Sequence, residues 1–158
     1  MGHRVSVITV SDGVSAGERE DGSGEGLQQL LEETGYEVSR RLVPDDVDAI
    51  RFAIKDEASR SRVVLTTGGT GFGLRDVTPE ATGRLLDREA PGLVHVMVAK
   101  GLESTPMAAL TRAKAGTMGD TLVVNLPGSP VGAVENLEAI LDLVPHILQL
   151  LSGDNAHH

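Results

Sequence analysis

Two hydrophobic periods take turns along this chain, one of short apolar runs and one recurring every three to four residues. Val5-Ser6-Val7-Ile8-Thr9-Val10 predicts a first strand, and Ser11-Asp12-Gly13 breaks it. The polar, glycine-rich segment 15–24 predicts a long loop, and its Glu18 to Asp21 charge run reads as solvated. Leu27, Leu30, Leu31 and Thr34 then share one face of a helix that Gly35 closes. Tyr36 to Val43 predicts a second strand, stopped by Pro44. Asp45 and Asp46 open a helix whose apolar positions are Val47, Ile50, Phe52, Ile54 and Ala58, a place where aspartate is commonest as a plain N-cap. Val63 to Thr67 predicts a third, buried strand. Thr78 suits an N-cap, Pro79 a first helical position and Glu80 the positive helix end.

Beyond Pro91-Gly92, the residues Leu93, Val96, Met97 and Lys100 keep helical spacing, and Pro106 begins a short alanine-rich helix to about Arg112. Ala115 to Met118 and Thr121 to Leu126 pair as an antiparallel hairpin around Gly119-Asp120. Ser129 caps and Pro130 enters a helix with Val134, Leu137, Ile140, Leu141 and Val144 on its apolar face; Pro145 opens a last short helix that stops at Gly153. Strands alternating with helices predict an α/β domain, with a mostly parallel sheet covered on both faces and the antiparallel hairpin at one edge. The 158 residues fit a single domain over 1–153 with a short polar tail at 154–158.

In such sheets the loops at the carboxyl ends of the strands form the ligand crevice. Four loops qualify: Ser11-Asp12, Pro44-Asp45, Gly68 to Asp76, and Pro127-Gly128-Ser129. The third is the richest in chemistry. Between a buried strand and a helix start it holds Gly68, Gly69, Thr70, Gly71, Gly73, Arg75 and Asp76. Glycines let backbone N–H groups approach an anion closely, and successive N–H groups form an anion-binding nest, although a glycine-rich loop can also simply turn a corner. No P-loop lysine follows Gly73, and the alternating Gly69, Gly71 and Gly73 do not make the dinucleotide fingerprint. Convergence of the four loops would gather Asp12, Asp45 and Asp76 at one glycine-lined site able to hold Mg²⁺ with substrate phosphate oxygens.

Composition narrows the classes. A net charge of −9 argues against general nucleic-acid binding, so positive potential for a phosphorylated ligand must be local: backbone N–H groups, Arg75 or Mg²⁺. With no cysteine, thiolate catalysis and Cys-ligated zinc are excluded. His3, His95 and His146 lie apart without metal-ligand spacing, His157-His158 is a terminal pair, and the methionines read as packing residues. No apolar run approaches the ~18 residues of a membrane span and the start lacks a signal-peptide profile, so the expectation is a cytoplasmic protein with no membrane partner.

Thr66-Thr67-Gly68-Gly69-Thr70-Gly71, Arg75-Asp76-Val77-Thr78-Pro79-Glu80-Ala81 and Asn125-Leu126-Pro127-Gly128-Ser129-Pro130 resemble the molybdenum cofactor biosynthesis proteins of the Mog/MoaB type. Ser11-Asp12 and Val43-Pro44-Asp45 match as well, so the resemblance covers nearly the whole chain. It implies a three-layer α/β/α domain, usually a homotrimer, that works with other molybdenum cofactor pathway proteins. The implied reaction is Mg²⁺-dependent transfer of AMP from ATP to molybdopterin, with pyrophosphate released. The resemblance places the mechanistic aspartates at Asp45 and Asp76, as Mg²⁺ ligands. Thr67, Gly68, Gly69, Thr70, Gly71, Arg75, Ser11 and Asp12 would bind phosphate or substrate, with Pro127, Gly128 and Ser129 shaping a pocket wall. Thr111 keeps a hydroxyl where relatives have serine, and Gly101 stands where they often carry serine in the pterin-binding region. The alternative within the same fold is a non-catalytic molybdopterin-binding or assembly protein.

Overall fold

The computed structural model describes residues 3–153, so the tail at 154–158, with His157-His158, lies outside the described residues. Six strands are described: β1 (Arg4–Val10), β2 (Glu37–Val43), β3 (Val63–Thr67), β4 (Arg88–Glu89), β5 (Ala115–Met118) and β6 (Thr121–Leu126). They form one sheet in the order β2-β1-β3-β6-β5-β4, with the first four parallel and the β6-β5-β4 edge antiparallel. The hairpin expected around Gly119-Asp120 is therefore present, and it carries one further short strand, β4. Arg88 and Glu89 are both exposed and have no apolar alternation, which is why the pattern does not announce them.

The helices are α1 (Asp12–Ser15), α2 (Gly22–Glu33), α3 (Val47–Ala58), α4 (Thr78–Gly83), α5 (Pro91–Leu102), α6 (Pro130–Leu141) and α7 (Val144–Leu151). The period of two in the strands sends alternate side chains to opposite faces. Val5, Val7, Val63, Leu65, Leu122, Val124 and Leu126 pack with Leu27, Leu31, Met97, Leu137, Ile140 and Leu148 from α2, α5, α6 and α7. Ile8, Val10, Val64 and Val123 face the other way, onto Ile50, Ala53 and Ile54 of α3 and Ala81 of α4. Three layers, α/β/α, result. The chain steps from β1 outward to β2 and then returns to β3 on the opposite side of β1, so the switch point of the sheet falls between β1 and β3.

Four local readings are corrected. The expected loop over 15–24 is short, because α1 uses Asp12–Ser15 and α2 begins at Gly22. Helix α2 starts among glycines because the Asp21 carboxylate accepts the Gly24 N–H at 3.0 Å and caps it. Thr78 lies inside α4 with Val77 as the unassisted N-cap; its hydroxyl instead donates to Gly68 O at 2.9 Å. Phe52 is 64% exposed, with the Arg41 guanidinium carbon 5.5 Å from its ring centre, so it is no core residue. The expected helix after Pro106 is a 3₁₀ turn, Pro106–Leu110.

Candidate active site

Each parallel strand delivers one loop to the same edge of the sheet, and the glycine loop after β3 is their meeting point. Gly68 has φ 102°, and a Cβ there would stand 2.4 Å from the Val10 carbonyl oxygen that ends β1. Gly69 has φ 70°, and its Cβ would lie 2.4 Å from Thr78 Oγ1 and 3.2 Å from Asp45 Oδ1. Both positions combine a left-handed backbone with close approach, which only glycine accepts without strain. The loop after β6 closes in from the far side: Gly68 N donates to Leu126 O at 3.1 Å, and Thr67 Oγ1 donates to Pro127 O at 2.7 Å. Ser129 accepts the Gly132 N–H at 3.0 Å and caps α6, as its position before Pro130 predicts.

Asp12 and Asp45 are locked together reciprocally. Asp45 N donates to Asp12 Oδ1 at 3.0 Å, and Asp12 N donates to Asp45 Oδ2 at 2.9 Å. Arg75 reaches across to Asp12 with Nε 3.0 Å and Nη2 2.9 Å from Oδ2. The Asp45 backbone N–H first, and then Arg75, hold the Asp12 carboxyl below its ordinary value. Asp45 moves the other way. Burial is the main cause of its raised pKa, reinforced by the charges of Asp12 and Asp76 and opposed by the Asp12 N–H and Arg75. Asp76 Oδ2 accepts the Gly73 N–H at 2.8 Å, which fixes the carboxylate across the turn of the loop.

Two cavities open on either side of this loop. The first, about 400 Å³, is polar and includes Ser11, Arg19, Asp21, Asp45, Thr67 and Gly68 in its wall. The second, about 410 Å³, runs between α5, α6 and the 3₁₀ turn, with Met97, Gly101, Met107, Leu110, Thr111 and Asn136 among its lining. Gly69, Asp76 and Gly128 belong to both. Asp12 and Arg75 line neither; they brace Asp45 from outside. Among the described residues no group of three His, Cys, Asp or Glu side chains is placed to hold a metal ion.

Comparison with known proteins fits this geometry. The family model described as "Probable molybdopterin binding domain" matches residues 6–146. The chain belongs to the Mog/MoaB family of molybdopterin-binding domains. A molybdopterin adenylyltransferase of Helicobacter pylori is 36% identical, over 95% of this chain and 88% of its own length. The molybdenum cofactor synthesis protein cinnamon of Drosophila melanogaster is 41% identical over 94% of the chain, which spans only 25% of that longer protein. The crystal structure of the molybdopterin biosynthesis enzyme MoaB from Thermus thermophilus superposes with a TM-score of 0.89 at 48% identity, covering 96% of this chain and 97% of that one.

Within this family fold, the residues singled out from sequence fall into three groups. Ser11, Asp45, Thr67, Gly68, Gly69, Asp76 and Gly128 line the first cavity; Gly69, Thr70, Gly71, Asp76, Thr111, Pro127, Gly128 and Ser129 line the second; Asp12 and Arg75 form the brace. Thr67 and Ser11 spend hydroxyl capacity on the protein itself, Ser11 accepting the Val14 N–H at 3.2 Å and Arg19 Nη2 at 3.1 Å.

The solvated reading holds for Glu18, Arg19 and Glu20, which are exposed, and fails at Asp21. Arg19, Glu20 and Asp21 are cavity wall, and Asp21 is tied to Thr9 Oγ1 at 2.8 Å and to Arg40. An aspartate just before the periodic residues of α2 was the available signal for a cap. Arg112 was missed altogether. Its Nε donates to Gly71 O and its Nη2 to Asp76 O, both at 2.7 Å, while Nη1 pairs with Glu80 Oε2 at 2.6 Å. A lone arginine after a helix carries no local sign of such a role.

Proposed function

We propose that this chain is a molybdopterin adenylyltransferase that moves AMP from ATP to molybdopterin. The observation that carries the reading is the pair of cavities meeting at Gly69, Asp76 and Gly128, which offers two substrates one common edge. The carboxylate-lined first cavity suits a nucleotide triphosphate with its cation. The more apolar wall of the second, with Met97, Val98, Met107 and Leu110, suits the flat ring of a pterin. Curated relatives that carry the adenylyltransferase name at about a third identity over nearly the whole chain support the same assignment.

The donor set fits Mg²⁺. Asp45 and Asp76 supply hard carboxylate oxygens in one cavity, and a bound cation would relieve the repulsion that helps raise Asp45. With only two carboxylates, the remaining ligands of such an ion are phosphate oxygens and water. When bound, Mg²⁺ offsets phosphate charge and favours departure of pyrophosphate.

The chain's own contribution is positioning. Gly69 of the glycine loop lies in both cavity walls, and backbone N–H groups there would hold phosphate oxygens while Asp45 and Asp76 orient the nucleotide. An oxygen of the terminal phosphate of molybdopterin then attacks the α-phosphorus in line. The bond from that phosphorus to the bridging α,β-oxygen breaks, and pyrophosphate leaves with the electron pair. The family resemblance extends the proposal to a homotrimer, to cytoplasmic residence and to contact with other proteins of the pathway; among the described residues no helix is long and apolar enough to cross a membrane.

The test is pyrophosphate release by purified protein given molybdopterin and Mg·ATP. Wild type should release pyrophosphate only with both substrates present. Asp45→Ala and Asp76→Ala should abolish release far more than they weaken pterin binding. Pterin binding by wild type without any pyrophosphate would overturn the enzyme reading in favour of a silent binding protein.

A further inference from the structure

Two asparagines are deeply buried, and they are used in opposite ways. Asn125 is satisfied on every side: its Nδ2 donates to Thr66 Oγ1 and to Thr82 Oγ1, both at 2.9 Å, and its Oδ1 accepts the Lys114 N–H at 2.9 Å. Asn136 sits on the buried face of α6 beside Ala133, Leu137 and Ile140 and is only 7% exposed. Its side-chain amide has no hydrogen-bond partner among the described residues, and it faces the second cavity. A polar side chain so placed normally finds a partner, since leaving it without one is destabilising.

Gly101 of α5 explains how the cavity reaches it. A Cβ at Gly101 would stand 3.7 Å from Asn136 Oδ1 and 2.8 Å from Ala108 Cβ, so a side chain there would crowd the 3₁₀ turn and stand in front of the amide. Met97, Val98 and Leu110 supply apolar wall around it, Thr105 and Thr111 add hydroxyls, and the neighbouring Glu135 carboxylate accepts from Ser104 Oγ at 2.7 Å. One donor and one acceptor, carried side by side on one amide beside the apolar part of the cavity, match a planar ring with an adjacent N–H and carbonyl. The pyrimidinone edge of a pterin presents that pair.

We infer that Asn136, reached through the gap left by Gly101, is a specificity-determining residue that reads the ring edge of the pterin. The inference rests on the two-cavity reading above. It assigns to the amide the selection of the ring, while the glycine loop handles the phosphate at the other end of the same substrate. A group kept for a ligand leaves a second mark on the free protein. Its replacement by an apolar residue removes an amide that bonds no other described residue and is open to the cavity, so recognition weakens without loss of stability.

The experiment titrates wild type, Asn136→Leu and Asn136→Ala with a free pterin, followed by its fluorescence, and separately with AMP, and records thermal unfolding without ligand. Expected are pterin dissociation constants raised about tenfold or more in both variants, AMP binding within about twofold of wild type, and a melting temperature for Asn136→Leu equal to or above that of wild type. Three results would overturn it: pterin binding unchanged in a variant that still unfolds cooperatively, loss of AMP binding in place of pterin binding, or a lowered melting temperature in both variants with both ligands weakened. If wild type itself binds no pterin, the proposed function falls with it; if wild type binds and the variants bind equally well, only the role of Asn136 falls.

Discussion

Arg112 offers the sharpest separation of stability from catalysis in this molecule. It bonds the carbonyls of Gly71 and Asp76 at 2.7 Å each and pairs with Glu80, so one guanidinium spans the glycine loop from its first turn to the start of α4. The Glu80 carboxylate is 47% exposed, which limits that pair to ~1 kcal/mol or less. The two charge-assisted bonds to carbonyls are part-buried and contribute about 1–2 kcal/mol each. Removing the side chain therefore releases roughly 2–4 kcal/mol from the loop.

The Arg112 backbone N–H still donates to Thr70 O at 2.8 Å in any variant, so the chain stays tethered and the fold persists. What loosens is the position of Asp76. At about 1.4 kcal/mol per factor of ten, Arg112→Ala should lower kcat/KM for adenylyl transfer by roughly 30- to 700-fold if the whole loss falls on the transition state. The melting temperature should fall by roughly 4–16 °C, at about 2–4 °C per kcal/mol for a chain of this size. Arg112→Lys keeps the charge near Glu80 but lacks the fork and should lie in between. Glu80→Gln keeps both carbonyl bonds and should stay within about threefold of wild type. Steady-state pyrophosphate release beside scanning calorimetry measures both quantities. Arg112→Ala with full activity, or with a collapse in stability that accounts for its lost activity, would refute the assignment of Arg112 as a loop-positioning residue.

Two stability predictions come from elsewhere in the chain. Gly68→Ala should destabilise by roughly 3 kcal/mol or more, because strain at φ 102° adds to a 2.4 Å collision with Val10 O; Gly35→Ala, at φ 100° with open space around it, should lose only about 1 kcal/mol, and urea titration of both compares them directly. Glu57 is 5% exposed; burial disfavours its charge, but Ser6 Oγ at 2.7 Å together with Arg41 and Arg60 outweighs this and lowers its pKa below the ordinary 4.5. A depressed carboxylate stabilises the fold above its unfolded value and loses that contribution as pH falls through the folded value. Glu57→Gln should therefore be less stable than wild type by about 1–3 kcal/mol near pH 7, with the gap closing as pH drops below about 4.5; a gap that widens in acid would contradict this.

Much of the fold is legible in the sequence because its strands are short, buried and bounded by glycine, proline or aspartate. Val5 to Val10 and Val63 to Thr67 need no context to be read. The carboxyl-edge loops were legible for the same reason: a glycine run between a buried strand and a proline-started helix has few other uses. Arg88–Glu89 and the start of α2 were not, since neither has an apolar period and both depend on partners distant in sequence. The same limit applies to the site. Asp76 stands inside a recognisable loop, whereas Arg19, Arg112 and Asn136 acquire their places only when the sheet order and the α5–α6 packing bring them to it. Phe52 shows the converse error, a helical apolar position that the fold turns outward onto Arg41.

Whether the two cavities receive two different substrates across one glycine loop is tested most directly by calorimetric titration of molybdopterin into protein saturated with Mg²⁺ and an α,β-methylene analogue of ATP, which cannot release its AMP. The predicted result is one pterin bound per chain with the nucleotide still in place, and no displacement in the reverse titration. Mutual exclusion of pterin and nucleotide would contradict the account, because a single shared site cannot set the molybdopterin phosphate in line with the α-phosphorus.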